Sequence, residues 1–201
     1  MKYTRQLGMT LVEMLVVIGL YTVLTTIVFT SAQSLYFYNA STFAQSNEVE
    51  HAMRGMYRWS QDVREMTYAE DGAFPIVVKD PHTIAFYSDI DRDNNVEYVE
   101  YEVATTTLYK RTYNPIGNPP AYNFSVPDQE EILSEYVQNI NQSTSTFYYY
   151  DSDGVSLGTG ALLTDVRYIK IQLIVNINPI RDPGEFLLRS GVAPRNLKDN
   201  L

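Results

Sequence analysis

The feature that most constrains this chain is an uncharged stretch. Between Glu13 and Glu48 no Asp, Glu, Lys or Arg occurs, and no proline occurs before Pro75. Met14 to Phe29 is strongly apolar, with Gly19, Tyr21, Thr22, Thr25 and Thr26 as its mildest members. A helix needs about 20 apolar residues to cross a bilayer, and Met9 to Ala32 is long enough. Lys2 and Arg5 precede the span, and the next base is Arg54. That bias predicts a cytoplasmic N-terminus with the bulk of the chain outside. One acid, Glu13, sits inside the apolar run. A lone carboxylate in such a segment is expensive and points to function.

Three readings compete for the segment. A secretory signal peptide has a shorter apolar core and a small-residue cleavage site. Thr30-Ser31-Ala32-Gln33-Ser34 can mimic such a site, but Glu13 argues against it. A plain membrane anchor explains neither Glu13 nor the glycine that closes the basic leader Met1-Lys2-Tyr3-Thr4-Arg5-Gln6-Leu7-Gly8. The third reading is a family resemblance. With Gly8, Thr10, Leu11, Glu13 and Leu15 in place, Met1 to about Ala32 resembles the N-terminus of type IV pilins and type II secretion pseudopilins.

The resemblance implies a prepilin peptidase cut between Gly8 and Met9, on the cytoplasmic side, and N-methylation of Met9. Phenylalanine is the commoner residue after the cut, so Met9 is a departure. It also implies that Glu13 pairs with the new α-amino group of a neighbouring subunit and sets the axial register of a filament. A buried carboxylate needs a partner. A heterologous contact of this kind propagates into a fibre. The competing reading is a Glu13 that snorkels to the interface. The implied organisation is a leader over 1–8, a membrane-spanning half-helix over 9–32 and an extracytoplasmic domain over 33–201. Its partners are prepilin peptidase, other pilin or pseudopilin subunits and the lipid of the cytoplasmic membrane.

The helix is expected to run past the bilayer to about Met66, near 85 Å at 1.5 Å per residue. Val49, Met53, Met56, Trp59 (or Ser60), Val63 and Met66 recur at steps of three and four. That spacing predicts an amphipathic stripe packed on a sheet. Glu50, Arg54, Arg58, Asp62, Arg64 and Glu65 are placed on the polar side, and Gly55 weakens the helix by about 1 kcal/mol. Tyr36-Phe37-Tyr38 sits where interfacial aromatics are expected, or packs between subunits.

From Phe74 the period becomes alternating. Strands are expected at Thr83–Tyr87, Val96–Val103, Leu108–Tyr113, Phe147–Asp151 and Ile169–Ile177. Pro115, Gly117, Pro119 and Pro120 mark a loop. A long helix followed by many strands predicts an α+β fold, the helix packed on an antiparallel sheet. The order resembles the J-class minor pseudopilins and W-class minor pilins. Three strings carry this likeness: Phe86-Tyr87-Ser88-Asp89-Ile90-Asp91-Arg92-Asp93, Tyr149-Tyr150-Asp151-Ser152-Asp153-Gly154 and Val192-Ala193-Pro194-Arg195-Asn196-Leu197.

Asp89, Asp91 and Asp93 occupy positions one, three and five of an EF-hand-like loop, with Val96 at eight and Glu100 at twelve. Such oxygens can wrap one calcium ion. Asn94 replaces the usual glycine at position six, and the flanks read as strands, so Glu100 is expected to point away. Asp89, Asp91 and Asp93 are then the best ligands, with Asn95 or Glu97 completing the set. The alternative is a solvated, metal-free acidic turn. Asp151 and Asp153 form a weaker second candidate, more simply a turn.

The absence of cysteine rules out disulfides and thiolate sites. Net charge is −9, and removal of Lys2 and Arg5 with the leader makes it −11, so charge-driven binding of nucleic acid is not expected. His51 and His82 stand in no metal-ligand or nucleophile spacing, and no phosphate loop or nucleophile elbow occurs. The chain reads as a substrate of enzymes rather than an enzyme. Its rivals are a membrane-anchored binding domain that never polymerises, and an adhesin or DNA-uptake tip.

Overall fold

The computed structural model describes residues 9–93, 95–158, 160–180 and 184–197. Its long helix α1 (Leu11–Arg64) is followed by antiparallel strands, an α+β fold. The chain divides into two compact units, Met1–Phe43 and Ala44–Leu201.

In the first unit α1 presents apolar side chains in every direction. Leu11, Val12, Leu15, Val16, Ile18, Leu20, Val23, Leu24, Ile27 and Phe29 are all exposed. The most apolar 18-residue window of α1 contains no buried residue, and it is long and apolar enough to be a candidate membrane span. The threonines do not spoil this surface. The hydroxyls of Thr22, Thr25, Thr26 and Thr30 donate to the carbonyls of Ile18, Tyr21, Thr22 and Thr26 at 2.8–3.0 Å. Each polar group is satisfied inside the helix, as a lipid environment requires.

In the second unit the rest of α1 packs against two sheets. The first has the order β1 (Ile76–Lys79), β2 (Thr83–Ser88), β3 (Glu97–Ala104), β4 (Thr107–Tyr113) and β7 (Gln129–Ser134). The second has the order β11 (Phe186–Val192), β10 (Tyr168–Val175), β8 (Phe147–Tyr150) and β9 (Ser156–Leu157). A small hairpin, β5 (Pro115–Ile116) with β6 (Ala121–Tyr122), forms within the expected proline loop.

One apolar core joins helix and sheets. Ala52, Met56, Trp59, Val63 and Met66 meet Phe86, Val99, Tyr101 and Val103 of the first sheet and Phe147, Ile169, Ile171 and Leu173 of the second. The alternation expected in the strand around Val99 holds for this core face. The opposite face is also covered at Tyr98, which joins Tyr87, Tyr113 and Tyr122 in a second aromatic cluster.

Three details of the expected stripe differ. Met53 is 53% exposed and Ala52 fully buried, so the core-facing row is shifted by one position. Gly55 is buried beneath β7, and a Cβ there would stand 2.9 Å from the Cβ of Leu133. Its cost in helix propensity therefore permits a close helix–strand approach. Asp62 is not on the solvent side. It accepts hydrogen bonds from Tyr101 Oη at 2.6 Å and Lys110 Nζ at 2.5 Å, with both ionic side chains 14% exposed. Burial and the adjacent Asp62 push the Tyr101 phenol well above its usual range.

The sheet surface also divides in a way the alternation did not predict. β8 covers β10 only from Tyr168 to Ile171. Beyond that, the irregular segment before β8 replaces it. Gln138 N–H donates to Ile174 O at 2.7 Å, and Asn139 bonds Gln172 O and Ile174 N–H through its side-chain amide at 2.9 and 2.8 Å. Buried amides thus continue a ladder where strand pairing stops.

Candidate functional site

Two groups of residues carry the chemistry. The first lies at the start of α1. Gly8, the expected cleavage position, lies outside the described residues. Met9 is exposed. Thr10 precedes the first helical residue, and Glu13 is in the first turn. The Thr10 hydroxyl accepts from Glu13 N–H at 3.3 Å. The Glu13 carboxylate accepts from Thr10 N–H at 3.2 Å and from its hydroxyl at 3.3 Å.

This is a reciprocal capping box. Its signature, Thr-x-x-Glu, is legible in the sequence at Thr10 and Glu13. It gives Glu13 a partner within its own chain. A negative charge in the first turn also interacts favourably with the helix dipole. The carboxylate is held at the head of an apolar helix, where it remains exposed and able to meet a cation.

The second group is the turn between β2 and β3. Asp89, Asp91, Asp93 and Glu97 each bring a carboxylate oxygen within 4.8 Å of the others. Asx contacts shape the turn. Asp89 Oδ1 accepts from Arg92 N–H at 2.7 Å, Asp91 Oδ1 from Asp93 N–H at 3.1 Å and Asp93 Oδ1 from Asn95 N–H at 2.8 Å. Arg92 adopts a positive φ of 63° and reaches Glu65, the residue after α1, at 3.3 Å.

Glu97 differs from the others. It is 2% exposed, and its Oε2 accepts from Ile90 N–H at 2.8 Å. Burial pushes its carboxyl up to about 7; the Ile90 hydrogen bond opposes this, and the charge of Asp91 adds to it. Asp93 moves the other way, held below the ordinary range chiefly by the backbone N–H of Asn95.

Of the five ligands expected from the sequence, Glu97 joins the three aspartates. Asn95 instead donates its side-chain amide to Asp93 at 2.9 Å. Asn94 lies outside the described residues. Glu100 points away as expected, bonded to Arg111 at 2.9 Å. Four carboxylates around one point suit a hard divalent cation, which would favour the ionised form of Glu97.

The other acidic turn is simpler. Asp151 Oδ1 accepts from Asp153 N–H at 3.0 Å and Val155 N–H at 2.8 Å, so its ligand capacity closes the turn. No protein-family model matches the chain, and no curated protein matches it either.

Proposed function

We propose that this chain is a minor pilin or pseudopilin, cleaved after Gly8, methylated at Met9 and assembled into a type IV pilus or a type II secretion pseudopilus. The observation that carries this reading is Glu13, a capped carboxylate at the head of an apolar helix whose span buries nothing in its own chain. A plain anchor uses that acid only to cap its helix. A filament subunit gives it a second use: its helix exchanges lipid for neighbouring helices, and the charge pairs with the α-amino group of a neighbouring Met9.

In this reading the first half of α1 sits in the cytoplasmic membrane with the N-terminus inside. The sheet domain lies outside and faces away from the fibre core. The capping box supplies Glu13 with a local partner before assembly. The exchange is then from hydrogen bonds to neutral donors of its own chain to an ion pair with a cation of the next.

The test is Glu13→Ala in the full-length chain, scored by processing and by recovery in sheared fibres. Processing continues and fibre recovery falls at least about tenfold if the lost interaction is worth 1.4 kcal/mol or more. Undiminished assembly removes the pairing, and absence of the unsubstituted chain from fibres favours the membrane-anchored binding domain.

A further inference from the structure

A cleft at the end of β11 serves none of the roles above. It measures about 350 Å³ and is lined by Arg64, Tyr168, Gly191, Val192, Ala193 and Arg195. Two arginines share it in a chain whose acids outnumber its bases 24 to 15. Four other arginines have acidic partners: Arg54 with Glu50, Arg58 with Glu131, Arg92 with Glu65, and Arg111 with Glu100, Glu102 and Glu130, while Arg189 bonds the side-chain amide of Gln172. Among the described residues, Arg64 and Arg195 have no carboxylate within ion-pair distance.

The two arginines are held together by the fold. Arg64 is the last residue of α1, and Arg195 opens a 3-10 turn, Arg195–Leu197. Leu197 is buried in the core, and Asn196 Nδ2 donates to Met66 O at 2.9 Å. The turn is thereby tied to the chain just beyond α1. Backbones fixed in this way reduce the ordering cost of a shared contact.

Tyr168 forms another wall. Its ring tilts against Tyr150 at 5.8 Å between centroids, and its hydroxyl lies 1.7 Å from where a Cβ of Gly191 would stand. Residue 191 must be glycine for that hydroxyl to remain there. No hydrogen-bond partner of the Tyr168 hydroxyl occurs among the described residues. Alongside, β11 is an outer strand, paired with β10 on one side only. Its other edge offers main-chain groups to an added strand.

We propose that this cleft binds a carboxylate of an extended acidic polypeptide segment. Arg64 and Arg195 take the carboxylate, the Tyr168 hydroxyl donates to it, and the segment's main chain lies along the free edge of β11. The planar guanidinium fork matches a carboxylate. The strand edge selects a polypeptide over a small anion.

The experiment uses the full-length chain in detergent micelles and a short blocked β-prone peptide carrying two glutamates, labelled for fluorescence anisotropy. The comparison peptide has glutamine at both positions, and inorganic phosphate is the competitor. The glutamate peptide binds, added salt weakens it, and the glutamine peptide binds about tenfold or more weakly. Arg195→Ala and Arg64→Gln each weaken binding by about tenfold at an unchanged melting temperature. Two variants on different elements guard against a folding defect in either one. Equal binding of both peptides, indifference to both substitutions, or occupation by phosphate with no peptide binding would each overturn the proposal.

Discussion

Gln45 grips the backbone at Val175 across 130 positions of sequence. Its Nε2 donates to Val175 O at 2.9 Å, and its Oε1 accepts from Ile177 N–H at 2.9 Å. The side-chain amide thus stands in for one rung of a β-ladder at the end of β10, and Gln45 itself is buried. A helix residue therefore continues the ladder just past Val175–Phe186, the last pair of β10 with β11.

This contact predicts the effect of Gln45→Ala. The substitution leaves the buried Val175 carbonyl and the half-buried Ile177 N–H without partners, each costing about 1–3 kcal/mol when fully buried. Partial access of water at a newly opened site lowers the sum to about 2 kcal/mol. Urea denaturation of the full-length chain in micelles measures it. A loss below about 0.5 kcal/mol would show that the rung contributes little.

Gly55→Ala tests the helix–strand contact. On propensity alone alanine gains about 1 kcal/mol. The new Cβ would stand 2.9 Å from Leu133 Cβ, which is attached directly to the backbone of β7 and cannot swing away. Overpacking of this kind costs about 1–3 kcal/mol. The expected outcome is a lower melting temperature, and a higher one would mean that β7 moves freely.

Glu97 gives the acidic turn a pH dependence with a definite sign. Its carboxyl is raised in the folded chain from 4.5 to about 7. The unfolded chain thus ionises first as pH rises. Glu97 contributes its full stability below about pH 4.5 and loses it as pH rises through about 7. Glu97→Gln should flatten that part of the stability curve, measured by thermal melts across the window. An unchanged slope would place the dependence elsewhere.

The same turn can be tested with calcium. Binding favours ionised Glu97, so proton release should accompany it, and the effect on melting should be greater at pH 7.5 than at pH 5.5. A calcium-dependent rise in melting temperature that Asp91→Ala removes identifies a cation site. No rise identifies a solvated turn.

The helix, the main strands and the core face of β3 were legible because their side chains repeat with the period of the backbone. Met53 misled because methionine at step four looked like the better core residue, while small Ala52 is what the close packing admits. Gly55 was read only as a cost, because its reason is Leu133, far away in sequence. Gln45, Gln138 and Asn139 carry no periodic signal, and their role depends on strand edges that exist only after folding. In the acidic turn the aspartates were visible from spacing, and alternation put Glu97 on one face with Val99, Tyr101 and Val103, but neither signal showed how deeply its carboxylate is buried.

The most direct test is the mature N-terminus of the protein purified from its own cell membrane. Intact-mass and N-terminal peptide spectrometry should find a chain that begins at Met9 and carries one methyl group on its α-amine. A chain that begins near Gln33, or one that retains Met1 to Gly8 in assembled fibres, would contradict a prepilin-type subunit.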